Sequence, residues 1–275
     1  MINKTRLTAF TILILGLTYA ISVAGLEIII TPSKSTYLLR ETVLIQYQIK
    51  NKGSDTARFW SDEITTNFIV LDSKDRRYKS RVEGYFAYPP PPFKPGESIE
   101  HTVDLDAYGP LPIGKYRVYL EIEYGAEKIS KSNTIEFEIV EPSGKEKLAY
   151  DELMVADSLY RLKNFEATCQ KWVDISRKYP ESVYAPSILS RALTIYKFTD
   201  ADKSKLVDLS REFIDKFPNS HFMNDPLNML LDYYQSKKDK NGFREELNTL
   251  IKKYPGSKVS QLAEQRLKII DGYKF

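Results

Sequence analysis

The sequence predicts a β-rich domain followed by an α-helical one: an antiparallel sandwich of short strands, then a short stack of helical repeats. Three observations predict this. Apolar residues alternate with period two through much of the first half, the mark of half-buried strands, and recur at threes and fours from Leu148 onward, the mark of amphipathic helices. A motif of lysine, aromatic, proline, any residue and serine is also written three times, at Lys178 to Ser182, Lys216 to Ser220 and Lys253 to Ser257, with prolines 38 and 37 residues apart. Self-similarity at such a period marks units that bury their apolar faces against one another.

The chain has 275 residues, 42% of them hydrophobic and 28% charged, enough for two folded domains. Residues 1–24 read as a signal peptide. Lys4 and Arg6 form its positive region, Leu7 to Ile21 its apolar run, and Ser22-Val23-Ala24 a small-residue cleavage site. The mature chain is then expected to be periplasmic or extracellular. An uncleaved N-terminal tether is the alternative, although the run is shorter than the roughly 20 residues that a bilayer span needs. No membrane span is expected after cleavage. The net charge of +3 falls to +1 without Lys4 and Arg6, which leaves no electrostatic footprint for nucleic acid. Cys169 is the single cysteine, has no intramolecular disulfide partner, and is expected to be buried.

Within residues 25–141, strands are expected at Leu26 to Thr31, Val43 to Lys50, Arg58 to Trp60, Phe68 to Asp72, Ile99 to Leu105, Tyr116 to Tyr124 and Ile135 to Ile139. Turns fall between them at Lys52-Gly53, Lys94-Pro95-Gly96 and Pro112-Ile113-Gly114. His101 takes the inward register of its strand, and Asp104 and Asp106 an outward, solvated edge. Through the segments Asn51-Lys52-Gly53, Lys94 to Glu97 and Pro112 to Tyr116, this region resembles a bacterial immunoglobulin-like sandwich. The resemblance implies that the Tyr116 hydroxyl bonds back across a corner, and that the domain belongs with adhesion, spacer or inhibitor modules. Tyr88-Pro89-Pro90-Pro91-Pro92-Phe93 interrupts the strand pattern. It is expected to project as a stiff polyproline loop that serves as a rigid strand connection, and Tyr88, Pro90 and Phe93 are the candidate contact residues on the alternative that the loop docks a partner.

Residues 142–145 form the linker, and 146–275 the helical region. In each copy of the tandem motif the proline ends one helix, the serine caps the next, the aromatic packs in the seam and the lysine suits the helix C-terminus. Asn164 is expected to take a left-handed backbone between the first two of about seven helices. The segment from Ala156 through Asn164-Phe165 to Ser182, and the matching turn Asn241-Gly242-Phe243, closely resemble a tetratricopeptide repeat, most of all that of exported bacterial envelope-assembly proteins. The resemblance implies stacked hairpins whose first helices line a concave face that holds a peptide or protein. On that face Tyr184, Ser187 and Arg191 are candidates, because Ala185, Ile188, Leu189 and Ala192 take the packed register. Tyr233 or Tyr234 is a further candidate, since adjacent positions cannot both face inward.

No catalytic constellation is visible. Neither histidine, His101 or His221, has a second ligand at metal-binding spacing, and phosphate loops and a nucleophile elbow are absent. The expectation is a non-catalytic scaffold or adaptor of the cell envelope, without metal or cofactor, that holds a protein or peptide. An adhesin-like or inhibitor-like sandwich acting through the proline loop is the alternative, and an enzyme with a cryptic carboxylate site the third.

Overall fold

The computed structural model describes residues 25–59, 64, 67–81, 90–124, 128–198 and 203–275. Strands occupy the first part and helices the second. The long period-two runs form β1 (Leu26–Pro32), β3 (Leu44–Asn51), β5 (Phe68–Asp72), β8 (Ser98–Asp104), β9 (Gly114–Tyr124) and β11 (Ile135–Val140). Shorter strands are β2 (Thr36–Leu38), β4 (Ala57–Arg58), β6 (Arg77–Tyr78), β7 (Pro92–Phe93) and β10 (Lys128–Lys131). They build a three-stranded sheet in the order β1-β3-β8 and a six-stranded sheet in the order β2-β11-β9-β5-β6, with β10 on β9; β4 and β7 pair separately. All these pairings are antiparallel except β2 with β11, which is parallel.

Alternation decides which side chains meet. Ile28, Ile30, Ile45, Tyr47 and Ile49 from the first sheet share one core with Phe68, Val70, Tyr116, Val118, Leu120, Phe137 and Ile139 from the second. The Tyr116 hydroxyl donates to the Pro112 carbonyl at 2.6 Å, the bond across the corner that the resemblance implies. His101, in contrast, is exposed: among the described residues its strand β8 pairs only with β3, and its ring tilts against Tyr47 at 5.9 Å. At this edge the inward register is only half-buried at Ile99 and Val103, which pack against the core, and it is open at His101.

The prolines correct another expectation. Pro92 and Phe93 pair with Arg58 and Ala57 in the two-residue ladder of β4 and β7, at an edge where the missing N–H costs nothing. Phe93 is buried, meets Phe59 edge to face at 5.3 Å, and accepts a 2.8 Å bond from the Asn51 side chain at its carbonyl. Phe93 is thus a packed residue of this edge and not a projecting contact. Pro90 is half-buried, its carbonyl held by Arg58 at 3.0 Å. Tyr88 and Trp60 lie outside the described residues.

Seven helices follow among the described residues: α1 (Gly144–Arg161), α2 (Phe165–Lys178), α3 (Ala185–Phe198), α4 (Lys203–Lys216), α5 (Asn224–Ser236), α6 (Lys240–Lys253) and α7 (Lys258–Ile269). Each packs on the next in chain order, and α3 also packs on α5. Their apolar faces form a second core, which includes Leu153, Trp172, Tyr184, Leu189, Phe213, Leu230, Phe243 and Leu247, with Cys169 fully buried inside it. Between α1 and α2 the left-handed residue is Lys163 (φ 59°), not Asn164. Asn164 caps α2 instead, accepting from the Ala167 N–H at 3.3 Å, and Lys238 (φ 54°) and Asp239 repeat the arrangement before α6. Cap selection wins because the short side chain satisfies a free helix N–H.

The serines of the tandem motif cap at different distances. Ser257 caps α7 through the Ser260 N–H at 3.2 Å. Ser220 opens a single 3-10 turn before α5, accepting from the Phe222 N–H at 3.1 Å. Ser182 bonds the Tyr184 N–H at 3.3 Å and donates to Glu146 at 2.7 Å, so it ties the turn back to α1. Ion pairs repeat with the helices. Arg177 on α2 grips Glu212 on α4 at 2.7 Å, and Arg211 on α4 grips Glu246 on α6 at 2.6 Å, each pair spanning 35 residues.

Candidate interdomain cleft

The strands and helices meet along one seam. Leu38 at the end of β2 packs against the helical core, and the Tyr184 hydroxyl donates to the Leu39 carbonyl at 2.9 Å. Arg40 follows with a left-handed backbone (φ 74°) and pairs with the buried Asp157 of α1. The end of β8 presents Asp104 to His221 at 3.8 Å, and the turn after it presents Asp106 to Arg191 of α3 at 2.6 Å. Expected at a solvated edge, Asp104 and Asp106 face the helices. Burial raises the Asp104 pKa, but the contact with His221 and the Asp106 N–H, 3.1 Å away, outweigh it and hold the carboxyl below its ordinary value.

These contacts enclose a cleft of about 770 Å³. Its floor comes from α1, α3 and the start of α5, through Asp157, Arg161, Ser187, Ser190, Arg191, Thr194 and Asp225; its roof comes from Arg40, Arg81, Asp104, Asp106 and Pro110. A second cavity of about 360 Å³ shares Arg40, Arg81, Arg191 and Tyr160 and continues the groove. Tyr160 stacks on Trp172 at 5.9 Å and gives the wall an aromatic stretch. Burial, with repulsion from Arg191 and Arg161, pushes the Arg40 pKa down. Four guanidinium and four carboxylate groups therefore line one opening between the two halves of the chain.

Of the residues expected on the concave face, Arg191 lines this cleft with its side chain 43% exposed. Tyr184 does not: it is fully buried, and its ring packs against Tyr150 at 6.2 Å. Ser187 is buried as well, although it borders the cleft, and its hydroxyl donates to the Tyr184 carbonyl at 3.0 Å. The reason is that α3 is enclosed by α2, α4, α5 and the β2 turn, so it keeps little free face. Tyr233 and Tyr234 are half-buried and neither lines the cleft; the Tyr234 hydroxyl donates to Glu246 at 2.9 Å. Sequence reasoning missed Arg40, Arg81, Arg161, Asp157 and Trp172. A signal existed for Asp157 alone, a carboxylate four residues after Leu153 on the packed side of α1.

No family model matches the chain, and no curated protein matches it. Among solved structures, a protein assigned as ApaA from Bordetella pertussis aligns at 20% identity over 42% of this chain and 93% of that one, with a TM-score of 0.26. Spo0M, the sporulation control protein of Bacillus subtilis, aligns at 13% identity over 50% and 56%, with a TM-score of 0.28. The structural genomics target SoR45 aligns at 14% identity over 44% and 87%, with a TM-score of 0.24. Similarity at this level carries no argument about fold or function.

Proposed function

We propose that this chain is an exported, non-catalytic binding scaffold of the cell envelope, built from an immunoglobulin-like sandwich and a short tetratricopeptide-like solenoid. It holds a peptide or a segment of a protein in the cleft between them. The carrying observation is the cleft itself: the first helices of three successive pairs, α1, α3 and α5, contribute its floor, and Arg191 stands in it. The ion pairs repeating at 35 residues support the solenoid reading, because repeat units join through recurrent nearest-neighbour contacts. Residues 1–24, read as a signal peptide, support export.

A photo-crosslinking side chain at Thr194, which is exposed in the cleft, tests this directly. Illumination in envelope extract is expected to give discrete protein adducts that vanish in the Arg191→Glu background. The same probe at the exposed Ile129, away from the cleft, is the reference. Absence of adducts at Thr194, or an identical pattern at Ile129, would refute the groove assignment.

A further inference from the structure

The cleft's aspartates are all engaged. Asp157 is paired with Arg40, Asp106 with Arg191 and Asp104 with His221. Asp225 accepts from the Ser190 hydroxyl and stands in the first turn of α5, where the helix dipole offsets its charge. The guanidinium groups are not balanced in the same way. Among the described residues Arg81 and Arg161 have no carboxylate partner; Arg161 reaches only the Ser158 hydroxyl, at 3.3 Å.

Arg81 is nonetheless seated. Its backbone N–H bonds the Ala107 carbonyl at 2.6 Å, and its guanidinium lies against Gly109 (φ 73°), where a Cβ would come within 2.3 Å of it. The glycine leaves room for the cation and allows the turn beneath it. In the same wall the buried Trp172 has an indole N–H that meets no protein acceptor. Two guanidinium groups without a carboxylate partner therefore stand open in a cleft whose fixed pairs already hold Arg40 and Arg191 in position. A planar guanidinium takes a carboxylate through two parallel bonds, strengthened where water is partly excluded.

We infer that the cleft receives an acidic peptide segment, its carboxylates held by Arg81 from the strand region and Arg161 from α1. This rests on the reading that the cleft holds a partner segment, and it names the partner's chemistry. A peptide suits the space better than a small free anion: the groove continues into the second cavity, and Tyr160, Ile195 and Phe222 offer apolar surface beside the cations.

The test uses the full chain and a short, C-terminally amidated, fluorescein-labelled peptide of glutamates and leucines, with a glutamine counterpart. Fluorescence anisotropy is expected to show the glutamate peptide binding at least ~10-fold tighter, with the preference shrinking as salt rises. Arg81→Gln and Arg161→Gln should each weaken it about 10-fold, the scale for losing one charge-assisted pair. Gly109→Ala should weaken it too by unseating Arg81, whereas Lys145→Gln, exposed on α1 outside the cleft lining, should change nothing. Thermal melts of each variant separate loss of binding from loss of fold. Equal affinity for the two peptides, undiminished affinity in both arginine variants, or full competition by equimolar inorganic phosphate would overturn the inference. Thr194 adducts persisting without any glutamate preference would defeat this inference and leave the scaffold reading standing; loss of both would defeat both.

Discussion

Removing one oxygen from Tyr184 separates two accounts of α3. If Tyr184 faced an open groove, Tyr184→Phe would change stability by no more than the ~0.5 kcal/mol typical of surface sites. In the structure its hydroxyl donates to the Leu39 carbonyl at 2.9 Å across the seam, and the residue is fully buried. Losing that bond costs about 1 kcal/mol net, and more where the orphaned carbonyl stays away from water. Leu39 is half-buried, so water replaces part of the bond, and about 1–2 kcal/mol is expected. For a chain of this size each kcal/mol lowers the melting temperature by about 2–4 °C, so a drop of roughly 2–8 °C should follow. Circular dichroism at 222 nm gives the melt, and urea titration with an unchanged slope checks that the same surface is exposed on unfolding. A melting temperature within about 1 °C of the parent would refute the seam contact and restore Tyr184 to the groove.

Phe93→Ala should destabilise the strand region by about 3–5 kcal/mol, the cost of emptying a packed aromatic site, which urea unfolding would show and a projecting loop residue would not. Glu212 is held at a pKa of about 2 by hydrogen bonds from Arg177 and then Lys216, outweighing partial burial. A depressed carboxylate stabilises the fold above its unfolded value and loses that contribution as pH falls through the folded one. Stability should thus decline from about pH 5 toward pH 2, and Glu212→Gln should flatten that decline by about 1 kcal/mol, less than full linkage because the pair is partly solvated. Burial raises the Cys169 thiol to about 11, so native protein at pH 8 should react with iodoacetamide at least ~100-fold more slowly than urea-unfolded protein. Comparable rates would contradict its place in the core.

Periodicity made the longer elements legible. Runs such as Val43 to Lys50 and Tyr116 to Tyr124 carry enough alternations to declare a strand and its inward face, and both do form strands, β3 and β9. The two- to four-residue strands β2, β6, β7 and β10 carry too few alternations to be seen. On α3 the pattern identified the most apolar face correctly but not the cover on the others, since a register says nothing about how many neighbours surround a helix. The small residue Ser187 on the supposedly free side was the available hint, because it permits close approach. The cleft was the least legible part. Arg191 meets Asp106 across 85 residues, and Arg40 reaches Asp157 from the other half of the chain, so tertiary docking alone unites them.

The tandem motif also has a chemical role beyond ending and restarting helices. In the first copy Lys178 and the Tyr179 hydroxyl both bind Glu152, whose carboxyl is drawn down to about 2 by the bond from Lys171 first and then by those from Lys178 and Tyr179. In the third, Lys253 and the Tyr254 hydroxyl both bind Asp215 of α4. The middle copy has Phe217, which lacks a hydroxyl, and Lys216 turns to Glu212 within its own helix. Lysine and tyrosine together thus fasten a helix end to a carboxylate on an earlier helix. With the motif committed to fastening, the proposed recognition would fall to α1, α3 and α5, where Arg191 is already paired with Asp106 from the turn after β8. The groove's cations come from both halves, Arg40 and Arg81 from one, Arg161 and Arg191 from the other. Neither half alone assembles that set, so a partner that reads it requires the two halves joined.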